Sequence, residues 1–292
     1  MKALASLSER AILVSLNVRL WGGERTDREV SNEVTYAKGA DSNRGRFTKK
    51  LITGPEIKDM QSIVSRIRTY HLNSTLPWQT GLRILPKSDW QRYTEGLGQL
   101  HTQFNQAVDN FARALPQLKE SAKIELGKLY NEDDYPDEQE IRNSCDLVTF
   151  MYPLPEEGDW RLQLANEQTE TMRSELEEQV KRAQYESHKI AHARIIDALV
   201  KLQERMESDC TGRGNGLHAG TIEKISEVCE LVQGIGFEDP VLGDVIQKLK
   251  VLAAQPFTSL AKDEIVRRDT AKQAADLAAT LQACLPQPSG NN

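Results

Sequence analysis

Apolar runs long enough to cross a bilayer as a helix are missing from these 292 residues. None approaches the roughly 20 residues that a spanning helix needs. No charged segment leading into an apolar core opens the chain, so no secretory leader is expected. Cysteine is scarce. Cys145, Cys210, Cys229 and Cys284 form no C-x-x-C pair and have no ligand-like spacing, so they read as small buried or incidental residues in a reducing, cytoplasmic setting. Catalytic signatures are missing too. There is no Gly-Lys-Ser/Thr phosphate loop, no H-E-x-x-H, no G-x-S-x-G, and no recognisable pairing of serine or cysteine with histidine. These absences leave no catalytic residue to assign, no cofactor to expect, and an unrecognised hydrolase only as a third reading.

What is present is an ordinary folded composition, 39% hydrophobic and 27% charged, with charge unevenly spread. Residues 1–86 hold 14 Lys/Arg against 8 Asp/Glu (+6), and residues 87–292 hold 23 against 35 (−12), which together make the net −6.

Periodicity divides the chain. Alternation over residues 11–21, stopped by Gly22-Gly23, predicts a strand, and Thr26 with Glu29 three residues on predicts a capped helix over 27–37. "RFTKKLI" predicts another strand with Phe47 on one face, Thr53 and Pro55 start a helix to about residue 72, and "GLRILP" is a short strand. From Ser88 the apolar residues Trp90, Tyr93, Leu97, Leu100, Phe104, Ala107 and Phe111 recur at three- and four-residue steps, the seam of a coiled coil, with Pro116 expected to kink it. A second seam over 166–208 runs through Met172, Leu176, Val180, Ala183, Ile190, Ile195, Leu199, Leu202 and Met206. At ~1.5 Å per residue both helices measure about 60 Å, which permits an antiparallel hairpin. Further helices are expected over 221–234, 240–254 and 258–284, before a frayed tail.

The expected fold class is therefore α-rich α+β. It comprises a small basic N-terminal α/β part (1–86), a long antiparallel coiled-coil hairpin (87–210) with a β-tip at about 146–163, and C-terminal helices (211–292).

Candidate contact residues cluster at two places. Lys38, Arg44, Arg46, Lys49 and Lys50 fall within 13 residues beside Phe47 on a loop and strand edge. This arrangement suits a nucleic-acid backbone with a stacked base, or an acidic protein surface, or a solvated loop with no specific role. Glu132, Asp133 and Asp134 in "NEDDYPDEQE" form an acidic run, read as a solvated turn or a knob for a partner, and expected to be dispensable for folding. His188 and His192 are four apart, a spacing that can bind zinc, yet the sequence offers no evident third ligand, so they read as a surface or hairpin contact and no metal is assigned. "TGRGNGLHAG" (211–220) joins two helices rather than following a strand, and reads as a linker.

"ILVSLNVRLWGG" and "LYNEDDYPDEQEIRNSCDLVTFMYPLPEEGDWRL" resemble an uncharacterised domain-of-unknown-function family of phages and plasmids, over residues 12–162. The resemblance implies a bacterial host cell and a gene neighbourhood with a MoxR-type ATPase, sometimes with a von Willebrand A-type partner. It brings no catalytic residues. The expected function is thus a non-enzymatic interaction protein, an adaptor or scaffold acting with an ATPase and capable of self-association. The alternative is a DNA-binding protein, for single strands, that uses the basic loop.

Overall fold

A computed structural model describes residues 7–41, 44–154, 167–208, 219–255, 260 and 263–285. The chain is α-rich α+β, with long helices and a small antiparallel sheet. The strands are β1 (Ala11–Arg19), β2 (Glu24–Asp27), β3 (Phe47–Lys50), β4 (Leu76–Gln79), β5 (Leu82–Pro86) and β6 (Asp146–Tyr152). The helices are α1 (Arg28–Ala37), α2 (Pro55–Asn73), α3 (Trp90–Leu126), α4 (Glu138–Ser144), α5 (Glu167–Glu207), α6 (Ala219–Ile235), α7 (Pro240–Ala253) and α8 (Glu264–Ala283). One sheet has the order β4-β5-β1-β6, and β2 pairs with β3 in a second. No described helix is long and apolar enough to cross a membrane.

The chain falls into two compact units, each discontinuous in sequence. One comprises residues 1–15, 72–93 and 150–292, and the other residues 16–71 and 94–149. The expected hairpin does not describe the α5 seam, which is filled within the first unit by α8 and β4, while α3 from Thr94 onward belongs to the second unit. The expected β-tip is likewise no tip, because residues 146–152 form the outer strand of the four-stranded sheet. The remainder of that prediction, from 155 to 163, and most of the expected linker at 211–220 lie outside the described residues.

In the first unit, β1, β5 and β4 pair antiparallel, with Ala11 opposite Pro86 and Leu76 opposite Ile84. The α5 seam is filled chiefly by α8 and β4. Its residues Val180, Ala183, Ile195, Leu199, Leu202 and Met206 share one buried cluster with Ala271, Ala274, Ala278 and Leu281 of α8. Small alanine side chains let two helix axes approach closely, and so account for the alanine-rich composition of α8. Arg83 and Arg194 both donate to the carbonyl of Leu72 near the end of α2, at 3.4 and 2.6 Å. Two guanidinium groups thereby satisfy a helix C-terminus whose carbonyls have no partner within the helix.

In the second unit, α2 buries Ile57, Met60, Val64 and Ile67, and α3 buries Leu97, Leu100, Phe104, Val108, Phe111 and Leu115. Leu97, Leu100, Phe104 and Phe111 are positions of the expected seam, whereas Ala107 is only half-buried and Val108 takes a buried place beside it. Pro116 lies inside α3 without ending it. Gly23, at φ 67° and packed against the Ile57 side chain, adopts the left-handed conformation that favours glycine in the turn between β1 and β2. The cap of α1 is Asp27, whose side chain accepts from the Val30 amide. Thr26, expected in that role, belongs to β2.

Candidate functional site

The basic stretch and the acidic run, distant in sequence, meet within the second unit. Lys49 alternates inward along β3, opposite Arg25 on β2. Its side chain is only 6% exposed. Three oxygens surround the ammonium: Leu129 O at 2.8 Å, Asp27 Oδ2 at 3.1 Å and Asp134 Oδ2 at 2.7 Å. Arg25 takes the other Asp134 oxygen at 3.0 Å.

Burial alone would push the Lys49 pKa down, but the Asp134 and Asp27 carboxylates outweigh it and hold the ammonium above its ordinary value. Asp27 is held below its ordinary value, first by the Val30 amide and then by Lys49. The Tyr135 hydroxyl, donating to Leu51 O at 3.0 Å, ties the acidic segment to the end of β3, and burial pushes its pKa up to about 12.

Two expectations are corrected here. Lys49 is an internal counter-ion and does not face a phosphate backbone. Asp134, with its side chain 7% exposed, is a partner of Lys49 and Arg25 rather than a free docking residue. Glu132 and Asp133 do remain exposed, as do Lys38, Arg44, Arg46 and Lys50. Phe47 is half-buried, and its amide donates to Ser31 Oγ. Much of the rest of the acidic run serves local structure, since Asp137 and Glu140 form a capping box at the start of α4.

A second cluster occupies the first unit. His188 and His192 stand one turn apart on α5, and both Nε2 atoms approach the same oxygen, Asp239 Oδ2, at 2.9 and 2.7 Å. The segment "GFEDP" explains why Asp239 is there. Gly236, at φ 69°, lets the chain turn after α6 in the left-handed conformation that closes many helices. Pro240 then opens α7, with Asp239 as its N-cap. Asp239 Oδ1 accepts from the Leu242 amide at 2.9 Å, which leaves Oδ2 for the imidazoles. His192 is fully buried, and among the described residues its Nδ1 has no hydrogen-bond partner. The His188 ring stacks on Phe237 with centroids 4.9 Å apart.

Burial, with help from His192, pushes the His188 pKa down against the pull of Asp239, which favours the neutral ring. Burial would raise Asp239, but the Leu242 amide and the two histidines hold it below the ordinary carboxylate range. The cluster therefore pairs a carboxylate with a neutral His188 imidazole near neutral pH. Asp239 also lines a pocket of about 280 Å³ with Phe237, Leu242 and Ile246. The signal that could have found Asp239 was the Gly-x-x-Asp-Pro turn, which marks a cap at a helix start but says nothing of what faces it.

No protein-family model matches the chain, and comparisons with curated proteins and with solved structures also find no match.

Proposed function

We propose that the chain is a non-enzymatic interaction protein, an adaptor or scaffold that works with a MoxR-type ATPase. The observation that carries this reading is the end of β6, where Phe150, Met151 and Tyr152 are 48%, 51% and 45% exposed in succession. Consecutive strand residues point to opposite faces, so apolar surface is open on both. β6 ends its sheet, and among the described residues no strand pairs with its outer side. Natural sheets usually blunt such an edge with charge, proline or a covering element. Three large apolar residues suit instead an extended segment of a protein partner, which would pair by its main chain and seat side chains against Phe150 and Tyr152. The resemblance to phage and plasmid proteins encoded near MoxR-type ATPases supplies the partner. Phe150→Ser combined with Tyr152→Ser should weaken binding to the co-encoded ATPase about tenfold or more in isothermal titration, with circular dichroism unchanged. A wild-type chain that fails to bind that ATPase removes the reading.

One observation favours a second reading. Lys38, Arg44, Arg46 and Lys50 are exposed, and among the described residues none of them enters an ion pair, although Arg46 donates to Thr26 Oγ1. Such free cations fit contact with a single-stranded nucleic-acid backbone, and neutralising all four should then flatten the log-log salt dependence of binding by about 2 to 3. Phe47, being half-buried, contributes packing as well as any stacking, so the salt slope is the cleaner readout. Absence of oligonucleotide binding at low salt would exclude this reading.

A further inference from the structure

The geometry points to a divalent transition-metal site formed by His188, His192 and Asp239. Their donor atoms all lie within 4.8 Å of one another. Two imidazoles and one carboxylate are a donor set that takes zinc or cobalt, with solvent completing the coordination. Both histidines sit on one helix and the aspartate is fixed at the cap of another, so little ordering is required on binding. Arg194, nearby on α5, does not compete for the carboxylate, because it donates to the carbonyls of Leu72 and Asn73.

Without a metal, hydrogen bonds to Asp239 hold the cluster at 2.7 and 2.9 Å. A metal about 2.0–2.2 Å from each donor replaces those bridging protons and needs the donors slightly farther apart. His188, the least buried of the three at 24% exposure, is the member with room to give and the one open to a solvent ligand. One feature limits affinity. A metal on Nε2 leaves the imidazole proton on Nδ1, and that atom of His192 is buried with no acceptor among the described residues. Loss of such a supporting partner typically costs about 10–100-fold in metal affinity, so micromolar rather than nanomolar binding is expected.

The test is titration of the untagged full-length chain with Co²⁺, followed by d–d absorption, and with Zn²⁺, followed by calorimetry. The expected result is one site per chain, with binding weakened at least about tenfold by His188→Ala and by Asp239→Asn. Asp239→Asn retains an oxygen to cap α7 and so keeps the fold while removing the charge. Circular dichroism of both variants should match wild type. Failure of wild type to bind either ion overturns the proposal, as does binding undiminished in both variants, which would leave the cluster as a hydrogen-bonded strut between α5 and α7.

Discussion

Replacing Lys49 with methionine should lower the unfolding free energy by about 3 kcal/mol, the scale expected when one partner of a buried ion cluster is removed. The methionine fills the space but leaves Asp27 Oδ2, Asp134 Oδ2 and Leu129 O without their shared cation. Arg25 still holds Asp134 and keeps the loss from being larger. Adding Asp134→Leu should recover part of the loss, since an apolar pair of similar volume is tolerated where a lone buried charge is not. The pH dependence has a definite sign. The Asp27 carboxyl is depressed below 3.8 in the folded state, so its contribution is present above that value and lost as pH falls through the folded pKa. The Lys49 ammonium is raised above 10.5, so its contribution is present below that value and lost as pH climbs through the folded pKa. Urea midpoints of wild type and Lys49→Met should therefore differ most near neutrality and converge at both extremes. Equal midpoints at pH 7 would show that the cluster adds nothing.

The larger effect belongs to the α5 seam. Leu199 is 0% exposed within the cluster that α5 and α8 share. Leu199→Ala should cost about 2–5 kcal/mol through lost burial and the cavity left behind. Leu199→Asp should cost more, because it buries a carboxylate with no cation beside it. Ile265, on α8 but 81% exposed, is the internal control, and its replacement by alanine should change stability by no more than about 0.5 kcal/mol. Because α8 shares this cluster, Ala274→Leu should also destabilise, by overpacking. Urea denaturation of these variants separates the arrangement from a hairpin in which α3 closes the seam, for then the α8 substitution would be silent.

The contrast between these sites shows what local pattern can and cannot convey. β1, α2, α3 and α7 were legible because their apolar residues recur at the period of the element and their ends carry glycine, proline or a cap. The four-residue strands β2 and β4 were not, since "ERTD" has no apolar alternation and "LPWQ" carries a proline. Lys49 looked like its neighbours Lys50 and Arg46. Only the strand's inward alternation and an acidic segment far along the chain made it internal. His188 and His192 announced themselves by spacing, but Asp239 lies 51 and 47 residues from them, and nothing local marks it as their partner. Periodicity reports which face of an element is buried and is silent on what covers that face. For this reason the α5 seam gave no sign that α8 covers it.

The interleaving of the two units governs the order in which a growing chain can mature. Residues 16–71 and 94–149 contain everything the second unit needs, so its assembly can begin once residue 149 has emerged. Ala11 and Leu13, made earlier still and paired with β5, belong to the cluster that Leu281 of α8 completes. At about 5–20 residues per second the interval before that helix emerges is on the order of 10 seconds, during which β1 is a nascent strand with half of its length committed and half unsheltered. A ribosome stalled before α8 would hold such an intermediate.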